Sequence, residues 1–277
     1  MTTIAFVLGG GGHRGAYEVG MLKALVAAGI EADLVVGTSI GAINGALFAS
    51  SPNAEGVRMM EEAWIGLEFT DLFPGGVWGR VRSAIGQRTY VHDNEHLRSW
   101  LTARLGGSDI ESLPVRFECV AACIEDSSEH WFTTGPVVDA LLASSAVPGL
   151  LPPVEVGGRH YVDGGVVNSI PLSRALALGA TTVFVMHVGH IDDELEVPTK
   201  PWDVGVVAFE IARRHRFTTD LANIPEGVVV HVLPTGATGG RFNDPTKLRY
   251  GDLSNAERSI DSAFGATQAL LANINGG

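Results

Sequence analysis

The chain opens by alternating short apolar runs with helical patterns. "IAFVL", residues 4 to 8, is a continuous apolar run of the kind that forms a strand covered on both faces. "GAYEVGMLKALVAAG" follows; it sets Val19, Leu22 and Val26 on one helical face and closes at Gly29, the expected C-cap. "DLVVG" gives a second strand and "TSIGAINGALFASS" a helix of small residues. Strand, helix, strand, helix within fifty residues predicts an α/β protein with a parallel sheet covered by helices. Further on, "VRFECVAACIED" and "ATTVFVMHVG" read as strands and "RHYVDGG" as a short strand and turn. "PVVDALLASSAVPGLLPPVEV" reads as a helix broken at Pro148 and followed by extended chain. From Pro201 a helix containing "EIARRHRFTTDL" precedes the strand "GVVVHVLP", and "NAERSIDSAFGATQALLANI" is a closing helix. One domain over residues 1–277 is the default expectation, without internal repeats.

Two stretches interrupt this rhythm. Between residues 51 and 107 the pattern loosens, and "LFPGGVWGRVRSAIGQ" sets Phe73, Pro74 and Trp78 among glycines. A cap or lid over a site and an ordinary loop tucked onto the core both fit. The run from Leu34 to Ala54 carries no charge and is long enough to suggest a membrane span. Its Gly37, Thr38, Ser39, Gly41, Asn44, Gly45 and Pro52 favour a packed soluble element instead. The first eight residues lack the basic start and long apolar run of a secretory signal.

Composition narrows the function classes. With 45% hydrophobic and 18% charged residues in 277, the balance is that of a globular protein with a large core. A formal net charge of −12 argues against a nucleic-acid partner and against strong adhesion to anionic bilayers. The 2 cysteines, Cys119 and Cys123, lie on one strand face, which reads as buried packing rather than metal ligation and fits a cytoplasmic setting.

The candidate chemistry begins with "FVLGGGGHRGAYEVG". Bare glycine backbone ahead of a helix lets several N–H groups converge on one anion, either a phosphate or a reaction intermediate. "GTSIG", residues 37 to 41, fits G-x-S-x-G between a strand and a helix, where a tight turn lifts the Ser39 hydroxyl out of the sheet. A serine needs a base. His187, His190, His215 and His231 are candidates by position, but none lies in a motif. Asp163, followed by Gly164 and Gly165, is a better partner because a carboxylate at a strand end can point into a site.

Together "GGGHRG", "GTSIG" and "DGG" resemble, in order, the glycine-rich loop, nucleophile elbow and aspartate turn of the patatin-like phospholipase family. "ASSAVPGLLPPV" is similar to the family's Ala-Ser-x-Ala-x-Pro segment, and the resemblance covers about residues 3 to 190. It implies a three-layer α/β/α sandwich with a mainly parallel sheet, and a Ser-Asp dyad that uses neither a catalytic histidine nor a cofactor or metal. Carried onto this chain, Ser39 is the nucleophile, Asp163 the base, and the Gly10, Gly11 and Gly12 amides the oxyanion hole. Arg14, Gly15, Gly37, Gly41, Gly164 and Gly165 support them. The implied substrate is a lipid or other acyl ester. The Phe73 to Trp78 segment and the cluster Arg213, Arg214 and Arg216 give the expectation of transient membrane-surface contact by a cytoplasmic protein.

Two other classes remain. Gly10, Gly12 and Gly15 also spell G-x-G-x-x-G, and Asp33 follows near the position of a ribose-binding acid, as in a Rossmann dinucleotide site. Asp33 precedes its strand rather than ending it, however, and this reading leaves "GTSIG" and "DGG" unexplained. A non-catalytic lipid-binding protein on the same fold is the third class. Arg213, Arg214 and Arg216 could touch an interface, or form a solvated helix face offset by Glu210 and Asp220.

Overall fold

The computed structural model describes residues 2–66, 93–188, 194–195, 197–199, 201–237 and 255–275. The elements run β1 (Ile4–Leu8), a 3-10 turn (Gly12–Gly15), α1 (Ala16–Ala27), β2 (Leu34–Thr38), α2 (Ile40–Ser50), α3 (Ala54–Gly66) and α4 (Glu95–Leu105). They continue with β3 (Arg116–Cys123), β4 (Glu129–Phe132), α5 (Val137–Ser144), β5 (Val154–Val156), β6 (Arg159–Asp163), α6 (Gly165–Asn168) and α7 (Leu172–Ala177). The last are β7 (Thr182–Met186), α8 (Pro201–Ala222), β8 (Val229–Leu233) and α9 (Ala256–Asn275).

The strands form one 8-stranded sheet in the order β5-β6-β3-β2-β1-β7-β8, with β4 also on β3. From β3 to β8 every neighbour is parallel, as the alternating pattern predicts. Alternate side chains of the buried strands serve opposite faces. Phe6, Leu8, Val35 and Met186 pack toward α1–α5 and α9, whereas Ala5, Val7, Leu34, Val36 and Val185 pack toward α7 and α8. The result is the expected sandwich of helices, sheet and helices.

Local signals explain the boundaries. Helix α1 ends where Gly29 takes φ +70° and donates to the Val26 carbonyl, while Ile30 reaches back to Leu25, a Schellman stop. The uncharged run that begins at Leu34 divides into β2 and α2, both central to the core. Its small residues let helix and sheet approach, since a Cβ on Gly45 would stand 3.0 Å from Val35. Helix α5 stops at Ser144, four residues short of Pro148. There the carbonyls of Ser144 and Ala146 accept from Gly164 and Asp163, so the chain leaves the helix to support β6.

The loosened region starts and ends as amphipathic helix: Val57, Met60 and Trp64 of α3 and Leu97, Leu101 and Leu105 of α4 are buried in the core. The Phe73 to Trp78 stretch lies outside the described residues. No described helix is long and apolar enough to cross a membrane.

Helices α1 and α9 meet at Gly20, where a Cβ would fall 2.1 Å from the Ile260 carbonyl oxygen. Gly20→Ala is expected to destabilise the protein by roughly 1–3 kcal/mol through this overlap. Gly265→Ala, which meets nothing within 4 Å on α9, should stabilise it by about 0.5–1 kcal/mol. Urea denaturation of both variants checks the pair, and equal effects would contradict this packing.

Candidate active site

The site forms where β2 ends. Ser39 sits between β2 and α2 at φ 56°, ψ −124°, a left-handed conformation that costs a non-glycine residue energy and turns its side chain out of the sheet. Its neighbours have to be bare: a Cβ on Gly37 would lie 2.6 Å from Ala42 Cα, and one on Gly41 would lie 2.5 Å from the Leu8 backbone. The elbow is also tied down. The Ser39 amide donates to Ser144 Oγ at 3.0 Å, and Ser144 Oγ donates to the Val120 carbonyl at 2.6 Å. Thr38 Oγ1 donates to the Asn168 carbonyl at 2.8 Å.

Strand β3 sets the distance between serine and aspartate. Thr38 pairs with Val120, and Asp163 pairs with the next residue, Ala121. Because β4 pairs with Cys119 and Ala121 as well, β2 and β6 both occupy the other edge of β3 and meet end to end. Ser39 Oγ therefore donates to Asp163 Oδ2 at 2.6 Å. The other oxygen, Oδ1, accepts from the Gly165 amide at 2.7 Å, which fixes the carboxylate plane. Burial pushes the Asp163 carboxyl up from 3.8 to about 6, against the opposing pull of the Ser39 and Gly165 hydrogen bonds.

The glycines of "DGG" do not make the tight turn that their composition suggests. Gly164 is helical at φ −61° and Gly165 starts α6. They are needed for close approach, because a Cβ on Gly164 would stand 2.2 Å from the Val120 carbonyl oxygen.

The glycine loop lies against this pair, with a Cβ built on Gly10 only 3.5 Å from Ser39 Cβ. The Gly10 amide donates to the Ser169 carbonyl at 2.8 Å and the Gly9 amide to Met186 at 2.9 Å. Gly10 is thus an anchor, and its place among the expected oxyanion donors is revised. Among the described residues no acceptor is found for the Gly11 and Gly12 amides, and Gly12 takes φ +58° at the positive end of the 3-10 turn that leads into α1. Arg14 Nη1 reaches the Val188 carbonyl at 3.4 Å and ties the loop to the end of β7.

Beneath the loop lies a polar network that the motifs do not reveal. Asn44 Nδ2 donates to the Gly15 carbonyl (3.0 Å) and to Glu18 Oε2 (2.7 Å), and Trp64 Nε1 donates to Asn44 Oδ1 (3.0 Å). All three side chains are buried. Burial raises the Glu18 carboxyl well above its ordinary value, against the opposing pull of the Asn44 hydrogen bond. Gly15 completes the clamp, since a Cβ there would meet Ile40 at 2.5 Å and Trp64 at 2.8 Å.

Comparison with known proteins fits this geometry. The family described as patatin-like phospholipase matches residues 6–176, which include the loop, the elbow and the aspartate. The chain belongs to the patatin-like phospholipase family. Lysophospholipase nte1 of Aspergillus terreus is 35% identical over 195 residues, and that of Emericella nidulans 34% over 190. Each match covers 69% of this chain but only 12% of the far longer relative. The crystal structure of VipD from Legionella pneumophila aligns with a TM-score of 0.55 at 15% identity, covering 98% of this chain and 67% of that one, and supports the fold.

Within this patatin-like site the competing sequence readings lose ground. Asp33 Oδ2 accepts from the Ile4 amide at 2.8 Å, at the start of β1 and the opposite end of the strands from the glycine loop. It cannot meet a ribose bound there. His231 stacks on Phe184 at 5.1 Å, and His187 packs against Phe217 at 6.0 Å. His215 is exposed on α8, and His190 lies outside the described residues. The arginines of α8 do not form a solvated face: Arg213 is buried against Glu210, while Arg216 pairs with Glu129 at 2.7 Å and with Asp220 at 3.4 Å.

The raised Asp163 pKa carries a stability consequence with a definite sign. The fold favours the protonated acid, so its contribution is fully present below about pH 4 and is lost as pH rises through about 6. The displacement corresponds to on the order of 3 kcal/mol. Asp163→Asn removes the penalty, so the variant should gain thermal stability over wild type between pH 5 and 8. A constant difference across that range would contradict the burial of an ionisable acid.

Proposed function

We propose that the protein hydrolyses acyl esters of lipids through an acyl-enzyme on Ser39, with Asp163 as general base. The observation that carries this reading is the 2.6 Å hydrogen bond from Ser39 Oγ to Asp163 Oδ2 at a strained strand-to-helix turn. Asp163 takes the hydroxyl proton as Ser39 Oγ attacks the acyl carbonyl. Negative charge then grows on the carbonyl oxygen, and the Gly11 and Gly12 amides stabilise it by roughly 3 kcal/mol per donor. As the tetrahedral adduct collapses, the ester C–O bond breaks and Asp163 returns the proton to the leaving alcohol. A water molecule, deprotonated by Asp163, attacks the acyl-enzyme, and release of the fatty acid restores Ser39.

A carboxyl at about 6 is a stronger base than an ordinary aspartate and is still mostly ionised at neutral pH. The curated relatives are called lysophospholipases, which supports a lysophospholipid or phospholipid as the substrate. Val166 and Phe209, 48% and 44% exposed, stand beside the Asp163 turn as apolar surface for an acyl chain and for transient contact with a lipid surface. A non-catalytic lipid binder would have no use for a strained serine and a buried acid, both of which cost stability. We take residues 1–277 as one catalytic domain.

Hydrolysis of p-nitrophenyl butyrate by wild type, Ser39→Ala and Asp163→Asn tests the dyad, with folding checked by circular dichroism. Both variants should lose at least about a thousandfold in kcat/KM. In the wild type kcat/KM should rise with pH through an apparent pKa of about 6. An Asp163→Asn variant that keeps a tenth of the activity, or a profile flat through that region, would sink the mechanism.

A further inference from the structure

Helix α8 connects the two halves of the site. Near its middle Phe209 reaches Gly165, the residue whose amide holds Asp163: a Cβ built on that glycine lies 3.1 Å from Phe209 Cζ and 2.9 Å from Asp163 Oδ1. One turn later Arg213 comes within electrostatic reach of Arg14 and Glu18, on either side of the end of the glycine loop. Phe209 and Arg213 are four residues apart and therefore share a helix face.

Arg213 is unusual in its bonding. Its side chain is 6% exposed, and a single nitrogen, Nη1, contacts Glu210, at 3.2 and 3.4 Å from the two carboxylate oxygens. Glu210 is shared, since its Oε1 also accepts from Arg214 Nε at 2.9 Å. Among the described residues Arg213 Nε and Nη2 are buried with no acceptor. Leaving donors of a buried cation unmet is costly. Nε and Nη2 also form the edge of a guanidinium that grips two oxygens of one tetrahedral or planar anion.

We propose that the Nε–Nη2 edge of Arg213 binds a phosphate group, and that Arg213 thereby selects phosphate-bearing acyl esters over neutral ones. The inference rests on the esterase reading for its consequence in substrate choice, and on the geometry of Arg213 alone for the anion. A carboxylate is the weaker candidate, because the carboxyl of the fatty acid produced ends at Ser39 and the Gly11 and Gly12 amides, which leaves the Arg213 edge to a second anionic group of the substrate. A phosphodiester a few bonds from the scissile ester supplies such a group. Arg213, Ser39 and Asp163 are enclosed to similar degrees, at 8%, 9% and 6% exposure.

The test compares wild type, Arg213→Gln and Arg213→Lys on 1-palmitoyl lysophosphatidylcholine and 1-monopalmitoylglycerol, with inorganic phosphate titrated separately against thermal stability. The ratio of kcat/KM for the phospholipid over the neutral ester should fall at least about tenfold in Arg213→Gln, mainly through KM, and recover in part in Arg213→Lys. Phosphate should raise the Tm of wild type and not of Arg213→Gln. A constant ratio combined with a phosphate-dependent Tm shift lost in Arg213→Gln would keep the phosphate site but overturn the headgroup as its source. A constant ratio with no such shift would overturn the proposal. The phosphate titration of wild type needs neither turnover nor a folded variant: an inactive wild type would count against the esterase reading alone, and a Tm unmoved by phosphate would count against this site.

Discussion

The pairing of two strands along one edge of β3 is the constraint on which the rest of the structure depends. Thr38 and Asp163 oppose consecutive residues, Val120 and Ala121, so the ends of β2 and β6 meet and the serine hydroxyl falls onto the carboxylate. Register in a sheet is set by backbone hydrogen bonds, and a slip of one residue would turn Asp163 to the opposite face. The glycines follow from the same crowding. Gly164 has to pass within contact of the Val120 carbonyl, and Gly41 has to lie on the end of β1.

The rest of the site works against the cost of this arrangement. Among the described residues Asp163 has no cationic partner, which makes the carboxylate expensive to bury, and the Gly165 amide and the Ser39 hydroxyl lower that cost only in part. What remains is basicity, which the proposed role of Ser39 as a nucleophile requires. Strain at Ser39 is held by Ser144, whose hydroxyl joins the Ser39 amide to the Val120 carbonyl. The loop over the serine is held from two sides, by Ser169 and Met186 through the backbone and by Asn44 from below. In the proposed mechanism, those anchors leave the Gly11 and Gly12 amides no rearrangement to make before meeting developing charge.

Much of this was legible in the sequence because it is written in local signals. Apolar runs gave the strands, and motif order placed Ser39 and Asp163. The functions of neighbouring residues were less legible, because they depend on contacts between segments distant in the chain. Gly10 looks like its neighbours until Ser169, more than 150 residues away, takes its hydrogen. Gly164 and Gly165 have turn composition, but close approach to β3 is what demands them. Ser144 carried a signal in the "ASSAVP" segment, although nothing local says that its hydroxyl braces the elbow. Glu18, Asn44 and Trp64 come from three helices and carry no motif at all. The charges of α8 suggested a solvated face, whereas the folded helix buries Arg213 against Glu210.

Reaction with a fluorophosphonate probe, followed by intact mass and peptide mapping, tests the central claim that Asp163 activates Ser39. The account predicts one adduct on Ser39 in the wild type and labelling slowed at least about a hundredfold in folded Asp163→Asn. Labelling of Asp163→Asn at the wild-type rate, or an adduct on any other residue, would contradict it.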